Sequence, residues 1–210
     1  GFQIVASELV RENSTDMSPV LQKIRVAKPD VLVGIVQTTD AIVLAKQVHV
    51  GKLGIPYLVG TAYPQLQLWS EAVGEAANGW IGATTYLPGM EAPADAKYPK
   101  LFPAMKTWEA AFRKKYSREP EFLDVTVYTS TAMLLLAVER AGGPDKDKVA
   151  KELKNLGVST LLGDAGFIRT KGGAVNQAFA DMVIFQRDGD KFVTVFPKAF
   201  VNGKLKPIPN

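Results

Sequence analysis

Two short polar segments each follow an apolar run, and they are the best candidates for binding chemistry in this chain. After the run at 31–36 come Gln37, Thr38, Thr39 and Asp40, and after the run at 55–60 come Thr61, Ala62, Tyr63 and Pro64. In open parallel sheets, ligands bind beyond the carboxyl ends of the strands. Gln and Thr side chains can donate and accept hydrogen bonds, so we call 37–39 the first tip and 61–63 the second tip, and treat both as candidate ligand contacts.

Two of these residues also have plain structural interpretations. Thr39 is a residue type that caps helices, and a helical pattern follows it. Tyr63 could stack on a ligand side chain, or it could pack on Trp69 in the core. The sequence leaves both alternatives open.

No enzyme motif accompanies the two tips. The sequence has no G-x-S-x-G elbow, no phosphate-binding loop and no G-x-G-x-x-G fingerprint. With no cysteine and a single histidine, His49, it lacks thiolate chemistry and a two-histidine zinc site. Asp181, Asp188 and Asp190 surround a predicted turn, where solvated side chains are the favoured interpretation. We therefore expect no catalytic residue, no metal and no cofactor.

The segment 16–47 predicts the elements that must position the first tip. Ser18 and Pro19 suit the start of a helix, which Pro29 should end, and a second helix should start at Thr39. The run 31–36 shows no polar alternation, so both of its faces should be buried, as in a parallel sheet with helices on each side. This pattern predicts an α/β fold.

The rest of the chain continues the alternation of strands and helices. Further strands are predicted at 2–10, 55–60, 80–86, 160–168, 179–186 and 192–196, with a turn at Asp188 and Gly189 between the last two. Further helices are predicted at 64–77, 98–116, 121–140 and 146–156.

Composition limits the class of protein. The 210 residues, 47% of them hydrophobic, are enough for one large or two small domains. We expect no membrane span, since no apolar run nears the roughly 20 residues required, and the N-terminus lacks a signal-peptide pattern. The net charge is +4. Its lysines are scattered, whereas nucleic-acid binding favours clustered cations, so we expect no nucleic-acid partner.

Seven segments together resemble one protein family, in the family's order. They read TDMSP, AKPDVLVG, GIPYLVG, EAANGW, KKYSREP, VYTSTAMLLLAVERAGG and VIFQRDGD. The chain resembles the C-terminal part of the type I periplasmic solute-binding proteins that serve branched-chain amino acid ABC transporters. These extracellular ligand-binding receptors have two Rossmann-like lobes joined by a hinge.

The resemblance implies a domain division with the N-terminal lobe largely missing. Residues 1–87 and 188–210 would form the second lobe, and 88–187 would be the remaining part of the first lobe. Hinge segments would lie near 86–92 and 186–190. A lobe that lacks its first strand leaves a strand edge open, so we expect a marginally stable chain or a homo-oligomer formed by lobe or strand exchange.

The resemblance also implies a function and a set of contacts. The chain would be the solute-binding component of an ABC importer, not an enzyme, and would capture a small ligand by hinge closure and deliver it to a membrane permease. It would be periplasmic, or extracellular and tethered to a membrane. The residues matching family contacts are Gln37, Thr38, Thr39, Thr61, Ala62, Tyr63 and, for the ligand's side chain, Leu123.

The second tip lacks an acidic residue, and this bears on the chemical class of the ligand. Many amino-acid binders of this family offer an acidic residue to the ligand's ammonium, whereas Thr61 and Ala62 stand there in this chain. A buried ammonium without a charge partner is costly. An aromatic acid or another carboxylated metabolite is therefore a candidate beside an amino acid. The alternatives are a ligand-sensing regulatory module of the same fold and a truncated remnant that does not bind.

Overall fold

The computed structural model describes residues 1–167, 173, 175–179 and 182–208. The α-helices are α1 Ser18–Ala27, α2 Thr38–Gly51, α3 Gln67–Val73, α4 Met105–Tyr116, α5 Phe122–Ala141 and α6 Lys146–Lys154. The strands are β1 Val31–Gly34, β2 Tyr57–Gly60, β3 Ile81–Thr84, β4 Ser159–Thr160, β5 Gly163–Asp164, β6 Val183–Asp188 and β7 Lys191–Phe196. Short 3₁₀ helices lie at Tyr63–Gln65, Gly74–Ala77 and Lys198–Phe200.

The chain divides into two compact units. Unit 1 comprises Gly1–Thr84 and Val183–Asn210, and unit 2 comprises Thr85–Met182. Unit 1 therefore contains α1 to α3 with β1 to β3, β6 and β7, and unit 2 contains α4 to α6 with β4 and β5. The assignment of 1–87 with 188–210 to one lobe and of 88–187 to the other stays a prediction.

The sheet of unit 1 confirms the α/β class but is mixed. Its strand order is β1-β2-β3-β6-β7, with β1, β2 and β3 parallel and β6 and β7 antiparallel to their neighbours. The last two strands form a hairpin in which Asp188 pairs with Lys191. The two turn residues are thus Gly189 and Asp190, one position later than predicted, and Gly189 has the positive φ that such a turn requires.

One face of β1 is exposed, so the prediction that both faces are buried is wrong. Leu32 is buried in a core cluster together with side chains of α1, α2 and α3. Val33 is 56% exposed, and Ile35, just beyond the strand, is 78% exposed. The helices α1, α2 and α3 cover the Leu32 face, and the apolar composition of β1 is suited to a second layer on the other face.

The predicted strand at 2–10 is also wrong. These residues form no strand, and Phe2, Ile4 and Leu9 are exposed. An extended segment is stable as a strand only when a neighbour pairs with it, and β1 remains at the edge of the sheet. The segment is held near its C-terminal end, where the Glu8 carboxylate accepts a hydrogen bond from Lys23 at 2.8 Å.

Two predicted helices are shorter than their sequence patterns. The helix expected at 98–116 begins only at Met105, because Pro103 lacks an N–H and disfavours helix at the residue before it. The region expected as one helix at 64–77 is a 3₁₀ turn, then α3, then a second 3₁₀ turn that starts at Gly74. Gly74 has a φ of 58°, which ends the α-helix.

The predicted strands in the C-terminal part are only partly seen. In place of a strand at 160–168, β4 and β5 form a two-stranded ribbon of two residues each. The strand expected at 179–186 begins at Val183. Residues 168, 180 and 181 lie outside the described part of the chain.

Unit 2 is organised around α5. The buried face of this helix includes Val125, Leu136 and Ala137, whereas Val127 and Leu135 are exposed. Among the described residues, α5 is the one helix long and apolar enough to cross a membrane by length and composition. The prediction that no apolar segment nears that length is therefore wrong by this criterion. A helix with one face packed in a protein core meets the same criterion.

The one-sided burial of β1 predicts unequal effects of truncating its side chains. Leu32→Ala should lower the free energy of unfolding by about 2–5 kcal/mol, because it leaves a cavity among α1, α2 and α3. Val33→Ala should cost under about 1 kcal/mol, because much of its side chain already contacts water. Urea denaturation followed by circular dichroism measures both, and equal losses would show that both faces are buried.

Candidate ligand-binding site

The register of β1 against β2 places the two tips at the same end of the strand pair. The strands are parallel, and Val31, Leu32, Val33 and Gly34 pair with Tyr57, Leu58, Val59 and Gly60 in turn. Gly34 and Gly60 are therefore neighbours at the carboxyl ends of the two strands. Ile35 and Val36 separate the end of β1 from the first tip, whereas the second tip begins directly after β2.

The first tip is accessible and opens a helix. Gln37 and Thr39 are exposed and Thr38 is half-buried. The helix α2 begins at Thr38, Gln37 is its N-cap residue, and no side chain caps this end. Thr39 is therefore not the N-cap, and the capping alternative does not apply to it. Uncapped backbone N–H groups at a helix N-terminus suit an anionic oxygen.

Asp40 follows the first tip but turns away from solvent. It is buried, and its carboxylate accepts a hydrogen bond from the backbone N–H of Ser14 at 3.0 Å. Sequence reasoning did not identify this contact, which spans 26 residues of the chain. The negative charge of Asp40 is therefore used within unit 1, and it joins the loop before α1 to the first turn of α2.

The second tip presents Thr61 and Ala62 but not Tyr63. Thr61 is exposed and Ala62 is half-buried, whereas Tyr63 is only 3% exposed. The Tyr63 ring packs on Trp69 with ring centroids 5.4 Å apart, and on Trp80 at 5.8 Å. The core alternative for Tyr63 is thus the arrangement that the structure has, and a stacking contact with a ligand would require this ring to leave its place.

Two glycines make room for the Tyr63 ring. A Cβ added to Gly60 would lie 2.5 Å from the ring carbon Cζ, and one added to Gly34 would lie 2.8 Å from the Tyr63 hydroxyl oxygen. Any larger residue at either position would therefore overlap this side chain. The two strand sequences, VLVG and YLVG, both end in glycine. Glycine inside a strand often marks a close approach, and this was the available sequence signal.

The Tyr63 hydroxyl bonds to the first strand. It donates a hydrogen bond to the backbone carbonyl of Gly34 at 3.3 Å. Burial raises the pKa of Tyr63 above its ordinary value, so the group stays protonated and able to donate throughout the physiological range. One side chain of the second tip is thus attached to the end of β1.

The remaining candidates lie apart from this arrangement. Leu123 is in unit 2, on the first turn of α5, with an exposed side chain. Asp188 lies 3.7 Å from the ammonium of Lys206, and Asp181 is outside the described residues. Within the described residues, no group of three or more His, Cys, Asp or Glu side chains could hold a metal ion.

One surface pocket also lies away from the tips. It has a volume of about 280 Å³ and lies between α1 and the C-terminal half of α2, where Arg25 and Lys46 contribute to its lining. Its lining contains no tip residue. The tips therefore remain the candidate site on grounds of topology and chemistry.

The chain belongs to the periplasmic binding protein family, whose model matches residues 1–191. Members of this family are solute-binding proteins of the periplasm or the extracellular side. Solved structures similar to the chain include the leucine binding protein LivK from Thermotoga maritima MSB8, at 21% identity and a TM-score of 0.70. The match covers 89% of this chain and 49% of that one.

Two further structures were solved with ligands. LivJ from Streptococcus pneumoniae, in complex with isoleucine, is 18% identical, with a TM-score of 0.67 and coverage of 88% and 50%. A solute-binding protein from R. palustris, in complex with benzoate, is 17% identical, with a TM-score of 0.67 and coverage of 89% and 48%. At these identities the likeness shows the fold, and the chain spans about half the length of the structures it matches.

The glycine pair predicts a specific loss on substitution. Gly60→Ala should lower the free energy of unfolding by about 1–3 kcal/mol, because the new methyl group overlaps the buried Tyr63 ring. Thermal denaturation followed by circular dichroism measures the change. Gly166→Ala is the matched control, because an added Cβ there meets no atom within 4 Å. If the two variants melt alike, the Tyr63 ring is not confined by Gly60.

Proposed function

We propose that this chain is part of the solute-binding component of an ABC importer, not an enzyme, and that it binds a small carboxylated metabolite. It would capture the ligand reversibly by hinge closure and deliver it to a membrane permease. The chain would be periplasmic, or extracellular and tethered to a membrane. Unit 1 would be the second lobe, and unit 2 the remaining part of the first.

The observation that carries this proposal is the pairing of Gly34 with Gly60. It brings the first and second tips to the same end of a parallel pair of strands, which is the position where open α/β sheets bind ligands. The side chains of Gln37, Thr38 and Thr61 offer both donors and acceptors there. Membership of the family supports binding as the activity.

The polar groups at the tips favour the carboxylate of a ligand over an ammonium. The uncapped start of α2 offers N–H donors, and the one carboxylate beside it, Asp40, is buried and bonded to Ser14. A ligand ammonium would find no carboxylate in the two tips, and desolvating it would be costly. An aromatic acid such as benzoate, which one similar protein binds, fits this pattern better than isoleucine.

A titration followed by NMR tests the ligand class and its location together. We expect benzoate to shift the amide resonances of Thr38, Thr39 and Ala62 in this chain, with little effect on α6, and we expect isoleucine to shift them less. Thr61→Asp should reverse the preference, because the new carboxylate pairs with the ammonium and repels benzoate. A change of roughly tenfold in relative affinity corresponds to about 1.4 kcal/mol.

Thr107→Asp is the matched control for this titration. Thr107 is exposed on α4 in unit 2, so the substitution adds the same charge away from the tips. It should leave the order of the two ligands unchanged. Shifts spread evenly over the chain, or an equal reversal by Thr107→Asp, would contradict the proposed site. An absence of any shift with both probes would favour the non-binding remnant.

Unit 1 also has a surface suited to self-association. Among the described residues, β1 is the strand at one edge of the sheet, and Val33 and Ile35 are exposed beside that edge. Open edges with apolar side chains pair readily with other chains. We therefore propose that this chain forms homo-oligomers through the β1 edge.

Sedimentation velocity over a range of concentrations tests this second proposal. The chain should show concentration-dependent association, and Ile35→Lys should weaken it by at least roughly tenfold, because a charge at a strand edge opposes pairing. Val50→Lys, at an exposed valine of α2, is the control and should have little effect. A stable monomer at high concentration with a high melting temperature would exclude the proposal.

A further inference from the structure

We infer that Tyr63 is a positioning residue: it holds the first and second tips at one fixed spacing. This inference rests on the proposed function, because the spacing matters only if both tips contact one ligand. It assigns Tyr63 an indirect role, in place of the direct contact that its position in the sequence suggests.

The first step of the argument is that the Tyr63 ring has a single place to lie. Two residues separate it from the end of β2, and it folds back over Gly60, where an added Cβ would lie 2.5 Å from the ring. On its other sides it packs against Trp69 and Trp80. The ring is thus enclosed by the two tryptophans and the backbone of Gly60. Because protein interiors are close-packed, it cannot shift without opening the core.

The second step is that the hydroxyl crosses from one strand to the other. Tyr63 belongs to the loop after β2, and its hydroxyl donates to the carbonyl of Gly34, the last residue of β1. The bond is buried, so an unpaired hydroxyl at this position would cost more than an exposed one. Gly34 lies three residues before Gln37, and the hydrogen bond therefore couples the start of the first tip to the second tip.

The third step concerns the neighbours that confine the same point. A Cβ on Gly34 would also lie 2.7 Å from the Cδ2 atom of Leu44 in α2. The end of β1 is thus enclosed between Leu44 of α2, the helix that starts at the first tip, and Tyr63, the last residue of the second tip. Both tips take their positions from this one contact.

Hydrogen exchange in Tyr63→Phe tests the inference without a ligand. The substitution keeps the ring and removes the hydroxyl. We expect amide exchange in the peptides covering 31–36 and 57–62, which contain the paired ends of β1 and β2, to be about fivefold faster, as expected for one lost hydrogen bond that governs local opening. The exchange rate of the peptide covering 44–50 of α2 serves as the internal reference. The ratio of the rates in the two test peptides to this reference rate separates local opening from a general loss of stability.

Tyr57→Phe is the matched control, because Tyr57 lies at the opposite end of the same strand, paired with Val31. It should leave the ratio unchanged. If the ratio is unchanged in Tyr63→Phe, whether the test and reference peptides both keep their rates or both exchange equally faster, the inference is overturned and Tyr63 is an ordinary core residue. Failure of benzoate and isoleucine to bind the wild-type chain would count against the proposed function only.

Discussion

The close approach between the Tyr63 ring and the glycine pair at the ends of β1 and β2 is the contact on which the candidate site depends. Gly34 and Gly60 are side by side in the sheet, and neither could carry a side chain without meeting Tyr63. Because that residue also belongs to the second tip, a packing requirement of the core and the spacing of two polar segments have the same physical origin.

Much of the fold could be predicted because its signals are local. The apolar runs at β1 and β2, the proline at the start of α1 and the glycine that ends α5 each act within a few residues. The errors at 2–10 and on the exposed face of β1 have another cause. A strand forms only when a neighbouring strand pairs with it, and an apolar face is buried only when another element packs on it. Both depend on other parts of the protein, so the local sequence does not reveal them. The chain spans about half the length of the solved structures it matches.

The place of the two tips in the sheet was predictable, but the contacts of each residue were not. The strand ends located Gln37, Thr38, Thr61 and Ala62, because topology alone sets where such segments lie. The role of Tyr63 depends on two glycines that are distant in sequence, and the role of Asp40 depends on Ser14, 26 residues away. Such contacts follow from packing, which residue types and spacing do not encode directly.

The most direct test asks whether these tips form only part of a ligand site. It compares two affinities for benzoate: that of the chain by itself, and that of the chain fused to the N-terminal half of the benzoate-binding R. palustris protein. Isothermal titration calorimetry would give both dissociation constants. We expect the fusion to bind at least about tenfold more tightly, a difference of about 1.4 kcal/mol, because more of the ligand's surface is then enclosed. Equally tight binding by the chain alone would contradict this and would mean that the two tips belong to a complete site.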